Sequence, residues 1–540
     1  MKKYILTIFA LAITTISFAQ TAVKFKGFDL NVGSGSSSPH SYCILGSKLL
    51  FTASTTAEGS ELWITDGVPA NTHMVKDIYS GANGSAIADF CVLNGKAYFT
   101  ATDGINGAEL WVTDGTAAGT QMVKDIKTGI TGSMGLIGMV EYNGKLYFTA
   151  NDGTTGYELW SSDGTAAGTQ LVRDISTSNA SPTQLTVYNG KLYFAAGDNS
   201  SGNELWVTDG TMSGTQMVKD IYSGTSSSLP RGITVLNGKL YFRAKDANGY
   251  ELYVSDGTLA GTTQLKDINP GSGDGVLIDQ FIALGGKVLF QGNENTNGPE
   301  LWSTDGTTGG TNLLKDINSG STGSSPQNFA VYKGKAYFRA TSAGLGDELW
   351  STDGTAGGTA IVQDIASGIG NSLVSNLFVY TTNLYFTAQT TGGDIQLYQC
   401  DGTGAGTRQI KPSGGLSGAL NAASDFFEFN SEVYFAANYN SAGIELWSII
   451  DSTKLNIANS PLTASFNVYP NPNNGTFTIE TNTDFKTGSV AVYDMMGRNI
   501  YQSPITNSKF PITITSQPKG VYLVKLQLDD AVLTKRVIID

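Results

Sequence analysis

The chain has 540 residues, a formal charge of −13, three cysteines and only two histidines. An acidic field of that size argues against nucleic acid and anionic lipid as general partners, and two histidines leave little room for metal centres or His-dependent triads. Abundant glycine, sparse charge, and β-forming residues set between Gly, Asn and Asp turns point to an all-β protein.

Residues 1–19 read as a secretory signal peptide. Lys2 and Lys3 precede an apolar run from Ile5 to Ile16, and Ser17-Phe18-Ala19 forms a small-residue cleavage site. The run is too short to span a bilayer, and no transmembrane segment is expected in the mature chain, which would begin at Gln20.

From there a motif returns nine times, at Glu61, Glu109, Glu158, Glu204, Glu251, Glu300, Glu348, Gln396 and Glu445, in steps of 46 to 49 residues. Its fullest form is Glu109-Leu110-Trp111-Val112-Thr113-Asp114-Gly115-Thr116. All seven tryptophans, Trp63, Trp111, Trp160, Trp206, Trp302, Trp350 and Trp447, hold its third position. Self-similarity at a fixed period near 48 marks a repeat architecture.

One repeat shows four strand signals. Ala88 to Leu93 turns at Asn94-Gly95 into Lys96–Ala101, Glu109–Thr113 follows a polar loop, and Met122–Ile126 follows the Asp114-Gly115-Thr116 corner. Four short antiparallel strands in such a unit are the content of a propeller blade. Apolar residues on both strand faces, as in Leu146-Tyr147-Phe148, suit sheets covered on both sides, and the tryptophans read as wedges between blades. The corner aspartates, among them Asp114, Asp163 and Asp209, read as turn-fixing acceptors. A second recurrent acid (Asp77, Asp125, Asp220) is expected to pair with strand-edge neighbours. Cys43 and Cys91, at equivalent places in adjacent repeats, read as small buried side chains rather than a bridge.

The last repeat has runs Asp425–Phe429, Glu432–Ala437 and Glu445–Ile449 but no clear fourth strand. Val23 to Leu30, running into Ser36-Ser37-Ser38-Pro39, resembles Leu314–Asn318 running into Ser324-Ser325-Pro326. The N-terminus is therefore expected to close a nine-bladed ring, leaving no unpaired edge; the competing arrangement completes the last blade with Lys454–Ile457. The expected domains are a propeller over 20–450, a linker over 451–462 and a β-sandwich over 463–540.

The repeat resembles the family of ELWxxDGT repeat proteins of secreted bacterial origin, over about residues 39–450. That resemblance implies a scaffold with no established chemistry. The C-terminal stretch resembles the type A C-terminal sorting domain of type IX secretion cargo in Bacteroidetes. It carries Tyr469-Pro470-Asn471-Pro472, then Gly475-Thr476-Phe477, Val490–Asp494 with Gly497-Arg498, and Gly520–Lys525 with Lys535-Arg536. This second resemblance implies the type IX machinery as partner, export across the outer membrane, and release or attachment at the cell surface.

No catalytic spacing stands out, so an enzyme is the less favoured expectation. Residues that break the repeat are where a unique site belongs, and the loops between second and third strands and between blades differ most. In those loops Asp103, Asp152, Asp198, Asp246 and Glu294 occupy one position in five consecutive blades, an arc able to bind Ca²⁺ or a cationic or polyhydroxyl ligand. The competing explanation is an Asp that fixes a turn. No cofactor is expected, Ca²⁺ being the one ion the arc would attract. The favoured function is a binding or adhesion scaffold for extracellular glycans or proteins. The alternatives are a polysaccharide hydrolase or lyase using carboxylates near the channel, and a structural surface-layer component.

Overall fold

In the computed structural model the described residues are 23–32, 35–133, 138–390, 393–411, 418–420, 426–439, 443–451, 466–481, 488–494, 498–528 and 531–539. The leader at 1–19, Asp425, Gly497 and all of the expected linker except Asp451 lie outside them. The chain divides into a unit spanning Phe25–Ile449 and a C-terminal unit.

Nine antiparallel sheets make up the first unit. Blades 1 to 8 each run first to fourth strand in chain order, beginning at His40, Ala88, Val140, Thr183, Arg231, Phe281, Gln327 and Ser375. Blade 2 is representative, with strands Ala88–Leu93, Lys96–Thr102, Ala108–Thr113 and Gln121–Lys124. Its second strand is buried from Ala97 to Ala101, and its third from Glu109 to Thr113. Both faces are covered because each blade is packed between two others. First strands of successive blades neighbour one another and so line the axis.

Blade 9 closes the ring with the chain's beginning. Val23–Phe28 pairs with Glu445–Asp451, taking the place of a fourth strand. Its first-strand position is split between Gly418–Leu420 and Phe427–Phe429, both paired with Glu432–Tyr439. The sequence reading foresaw the second piece and not the first. The closing interface is apolar: Phe28, Phe429, Tyr434 and Leu446 pack on Leu49, Phe51 and Trp63 of blade 1, and Tyr42 stacks on Phe427 at 5.6 Å.

The tryptophans pack against neighbouring blades. Trp111 packs on Leu50, Leu62 and Val75 of blade 1, and Trp160 on Tyr98, Leu110 and Val112 of blade 2. Six of the seven are no more than 8% exposed; Trp447 is half-buried and meets Tyr439 edge-on at 5.0 Å. A cation from the preceding blade covers several of these rings. Lys76 Nζ lies 5.8 Å from the Trp111 centroid and donates to the Thr120 carbonyl at 2.7 Å.

The C-terminal unit is a sandwich. A three-stranded sheet (Phe466–Tyr469, Thr476–Thr481, Lys509–Thr513) shares one core with a four-stranded sheet (Gly488–Tyr493, Asn499–Ile505, Gly520–Leu528, Ala531–Ile539). Phe466, Phe477, Ile479 and Ile512 from the first meet Val490, Val524, Leu526 and Val537 from the second.

Candidate functional site

The repeated polar residues serve the scaffold. In each Asp-Gly-Thr corner the aspartate accepts from the Thr two residues on: Asp114 Oδ1 takes the Thr116 N–H at 2.9 Å and its hydroxyl at 2.7 Å. Asp163 and Asp209 do the same with Thr165 and Thr211. These bonds, the Thr116 hydroxyl foremost and then its N–H, hold the Asp114 carboxyl below its ordinary range.

The motif glutamate has a role the sequence reading did not assign. Glu109 is fully buried and accepts the Ile126 N–H at 3.1 Å and the Ser133 hydroxyl. Glu61, Glu204, Glu300 and Glu348 likewise take the N–H of the isoleucine 17 residues on. Each glutamate thereby ties the end of its blade to the loop that enters the next. Burial pushes the carboxyls of Glu109 and Glu158 up to about 7 and that of Glu251 up to about 8, against the opposing pull of these donors. The period contained the signal, in the serines 24 residues after Glu61, Glu109, Glu204, Glu300 and Glu348.

The second recurrent acid does not pair along the strand edge. Asp77 Oδ2 accepts the Gly81 N–H at 3.3 Å and Asp220 Oδ2 the Gly224 N–H at 3.2 Å, closing the loop that follows. Cys43 and Cys91 are free, the first buried and the second half-buried.

The five loop acids are spent locally. Asp103 Oδ1 accepts from Ile105 N and Asn106 N, Asp152 Oδ1 from Thr154 N and Thr155 N, and Asp198 Oδ1 from Ser200 N and Ser201 N. Asp246 takes the Asn248 N–H and the Tyr253 hydroxyl, and Glu294 the Asn297 amide. Partial burial pushes the Asp152 carboxyl upward, but the Thr155 and Thr154 donors outweigh it and hold it at about 2. Each acid thus fixes its own turn, and no hydrogen bond joins one to another. Among the described residues no group of three or more His, Cys, Asp or Glu is placed to hold a metal ion.

What varies is the lining of the axis. At the head of the first strands lies a largely polar belt at a single repeat position: Ser41, Asp89, Gly138, Gln184, Gly232, Gln280, Asn328 and Asn376. All but Gln280 have φ between 52° and 64°. Blades 1, 2, 4, 5, 7 and 8 shift register beside this position, whereas blades 3 and 6 pair without a shift. The left-handed backbone turns the residue out of the ladder, and belt members then bond across blades. Gly232 N donates to Gln184 Oε1 at 2.9 Å, Asn328 N to Gln280 Oε1 at 2.7 Å, and Gly138 N to Asp89 Oδ1 at 3.2 Å.

Three residues further along the same strands stands an apolar collar: Ile44, Val92, Val187, Val235, Val331 and Val379, each 39–44% exposed. Between blades 5 and 8 the belt opens into a cavity of about 420 Å³, lined by Thr234, Asp279, Gln280, Phe281, Asn328 and Asn376 among others. None of the five loop acids lines it. Repetition hid this site from the sequence reading, which searched the loops and not the first strands.

Residues 467–540 match the family described as secretion system C-terminal sorting domain. The chain is accordingly a secreted or cell-surface protein exported by type IX secretion through that domain. No helix among the described residues is long and apolar enough to cross a membrane. No curated protein matches the chain. Similar solved structures include PorZ, an essential bacterial surface component of the type IX secretion system of Porphyromonas gingivalis. That protein is 13% identical, with 93% of this chain and 75% of that chain covered and a TM-score of 0.32. A Mycobacterium tuberculosis puromycin-hydrolysing peptidase is 12% identical over 67% of this chain and 61% of its own, with a TM-score of 0.33. The β-propeller domain of the trilobed protease from Pyrococcus furiosus is 11% identical over 70% of this chain and all of its own, with a TM-score of 0.30.

Proposed function

We propose that the chain is an extracellular binding or adhesion scaffold, carried out of the cell by its sorting domain, that engages glycans or proteins and does no chemistry on them. The observation that carries this reading is how the carboxylates are employed. The motif glutamates are buried acceptors of backbone N–H groups, and the corner and loop acids fix turns, so general acid–base work has no evident partner among them. The variable polar lining of the axis supports recognition instead. The test is binding of the full-length mature chain to a glycan array and to an extracellular-matrix protein panel. Retention on neither would end the scaffold reading, and release of new reducing ends from a polysaccharide panel would replace it with a hydrolase or lyase.

A further inference from the structure

The cavity between blades 5 and 8 offers hydrogen-bonding groups of both kinds without a net field. Among the described residues the Gln280 amide nitrogen has no partner, and only its Oε1 is engaged, by the Asn328 N–H at 2.7 Å. Asn328 directs its amide nitrogen to the Val374 carbonyl at 3.1 Å, which leaves its Oδ1 as an acceptor. Thr234 donates its hydroxyl proton to the Gly232 carbonyl at 2.9 Å and keeps its lone pairs. The one charged group on the lining, Asp279, is neutralised by Arg243 Nε at 2.9 Å. Phe281 and Phe329 contribute half-buried rings beside these groups.

Fixed donors and acceptors, a compensated charge and aromatic rings match a neutral polyhydroxyl ring better than an ion or an apolar ligand. A charged ligand would lose hydration without finding an opposite charge, and an anionic one would also meet a chain of formal charge −13. Both amides are already held by protein bonds, so little ordering remains to be done on binding. We propose that this cavity takes one neutral sugar unit of an extracellular glycan, with the Gln280 amide nitrogen as donor and Asn328 Oδ1 as acceptor. The assignment rests on the scaffold reading and gives it a ligand class.

The experiment titrates the full-length chain with neutral gluco-, galacto-, manno- and N-acetylglucosamine oligosaccharides, and with sialylated and glucuronylated ones, by ligand-observed NMR and calorimetry. At least one neutral sugar should bind, and no acidic sugar should bind more tightly. Gln280→Ala and Asn328→Gly should each weaken that affinity by about tenfold, one hydrogen-bond's worth. Glycine at 328 keeps the left-handed backbone that Gly232 already adopts two belt positions away. Gln216→Ala, exposed on an outer strand, should leave the affinity unchanged, and unaltered circular dichroism and melting show that each variant folds. Unchanged sugar affinity in the folded channel variants overturns the assignment and leaves the scaffold reading standing, as does capture of proteins without any sugar binding. Preference for an acidic sugar overturns it too, and a chain that binds nothing fails on both counts.

Discussion

Blade 2 and blade 9 make the same clamp from differently ordered chain. In blade 2, Glu109 reaches forward to the Ile126 N–H and to Ser133. In blade 9, Glu445 holds the Leu30 N–H at 2.9 Å and the Ser37 hydroxyl at 2.6 Å, residues more than 400 positions earlier. Leu30 and Ser37 stand to the ring as Ile126 and Ser133 stand to blade 2. What the architecture requires is the clamp, and the chain may supply it from either direction; only the entropy of closing the loop differs, and that grows slowly with length.

Removing residues 23–30 breaks this comparison most severely. The third strand of blade 9 would lose its outer partner and Glu445 its Leu30 donor, leaving an open edge and an unclosed interface. Thermal unfolding followed by circular dichroism should lose its single cooperative transition, with association in analytical ultracentrifugation. Wild-type melting of that deletion would show that the ring does not depend on its N-terminal strand.

Point changes sharpen it. Glu109→Ala and Glu445→Ala each orphan buried donors, and each should lower stability by about 2–5 kcal/mol in denaturant titrations. Similar losses would make the seam one more blade junction, whereas a much larger loss for Glu445→Ala would make it the fastening of the whole ring.

Most of this arrangement was legible. The period gave nine blades, Asn94-Gly95 and its equivalents gave the first hairpin, and the likeness of residues 23–39 to 314–326 gave the closure. The glutamate clamp escaped because its partners are main-chain N–H groups, which every residue but proline carries. Only the serine at the same offset marks it, and blades 3 and 5 lack even that, having Pro182 and Gly275 there. The channel belt escaped for another reason. Ser41, Asp89, Gln184 and Asn328 share a backbone conformation and not a side chain, so no motif forms. The loop acids were visible because Asp favours turns, and turn formation is the role in which the structure finds them.

The buried clamps also set a pH dependence. Glu251, pushed up to about 8 by burial against an ordinary value of 4.5, binds its proton more tightly folded than unfolded. Between those values the folded chain therefore holds more protons, and stability falls as pH rises. The contribution is complete below about pH 4.5 and exhausted above about pH 8. Urea midpoints measured from pH 5 to pH 8 should decline, and Glu251→Gln should flatten part of the slope whatever it does to the absolute midpoint. A midpoint that rises across this window would mean that the donors to the glutamates outweigh their burial.

The corners give the smallest effect, and they isolate one geometric reason for the motif. Asp114 lies over Gly119, where an added Cβ would fall 2.0 Å from Oδ1. The glycine after the corner is therefore fixed by the carboxylate it faces. Asp114→Ala gives up two exposed hydrogen bonds, which water largely replaces, so the loss should be about 1 kcal/mol or less. Gly119→Ala should lose more, because the carboxylate must leave its turn to make room. In the double variant the obstruction is gone, and stability should return to that of Asp114→Ala alone. A double variant as weak as the sum of the two would place the demand for glycine in the backbone rather than in the aspartate.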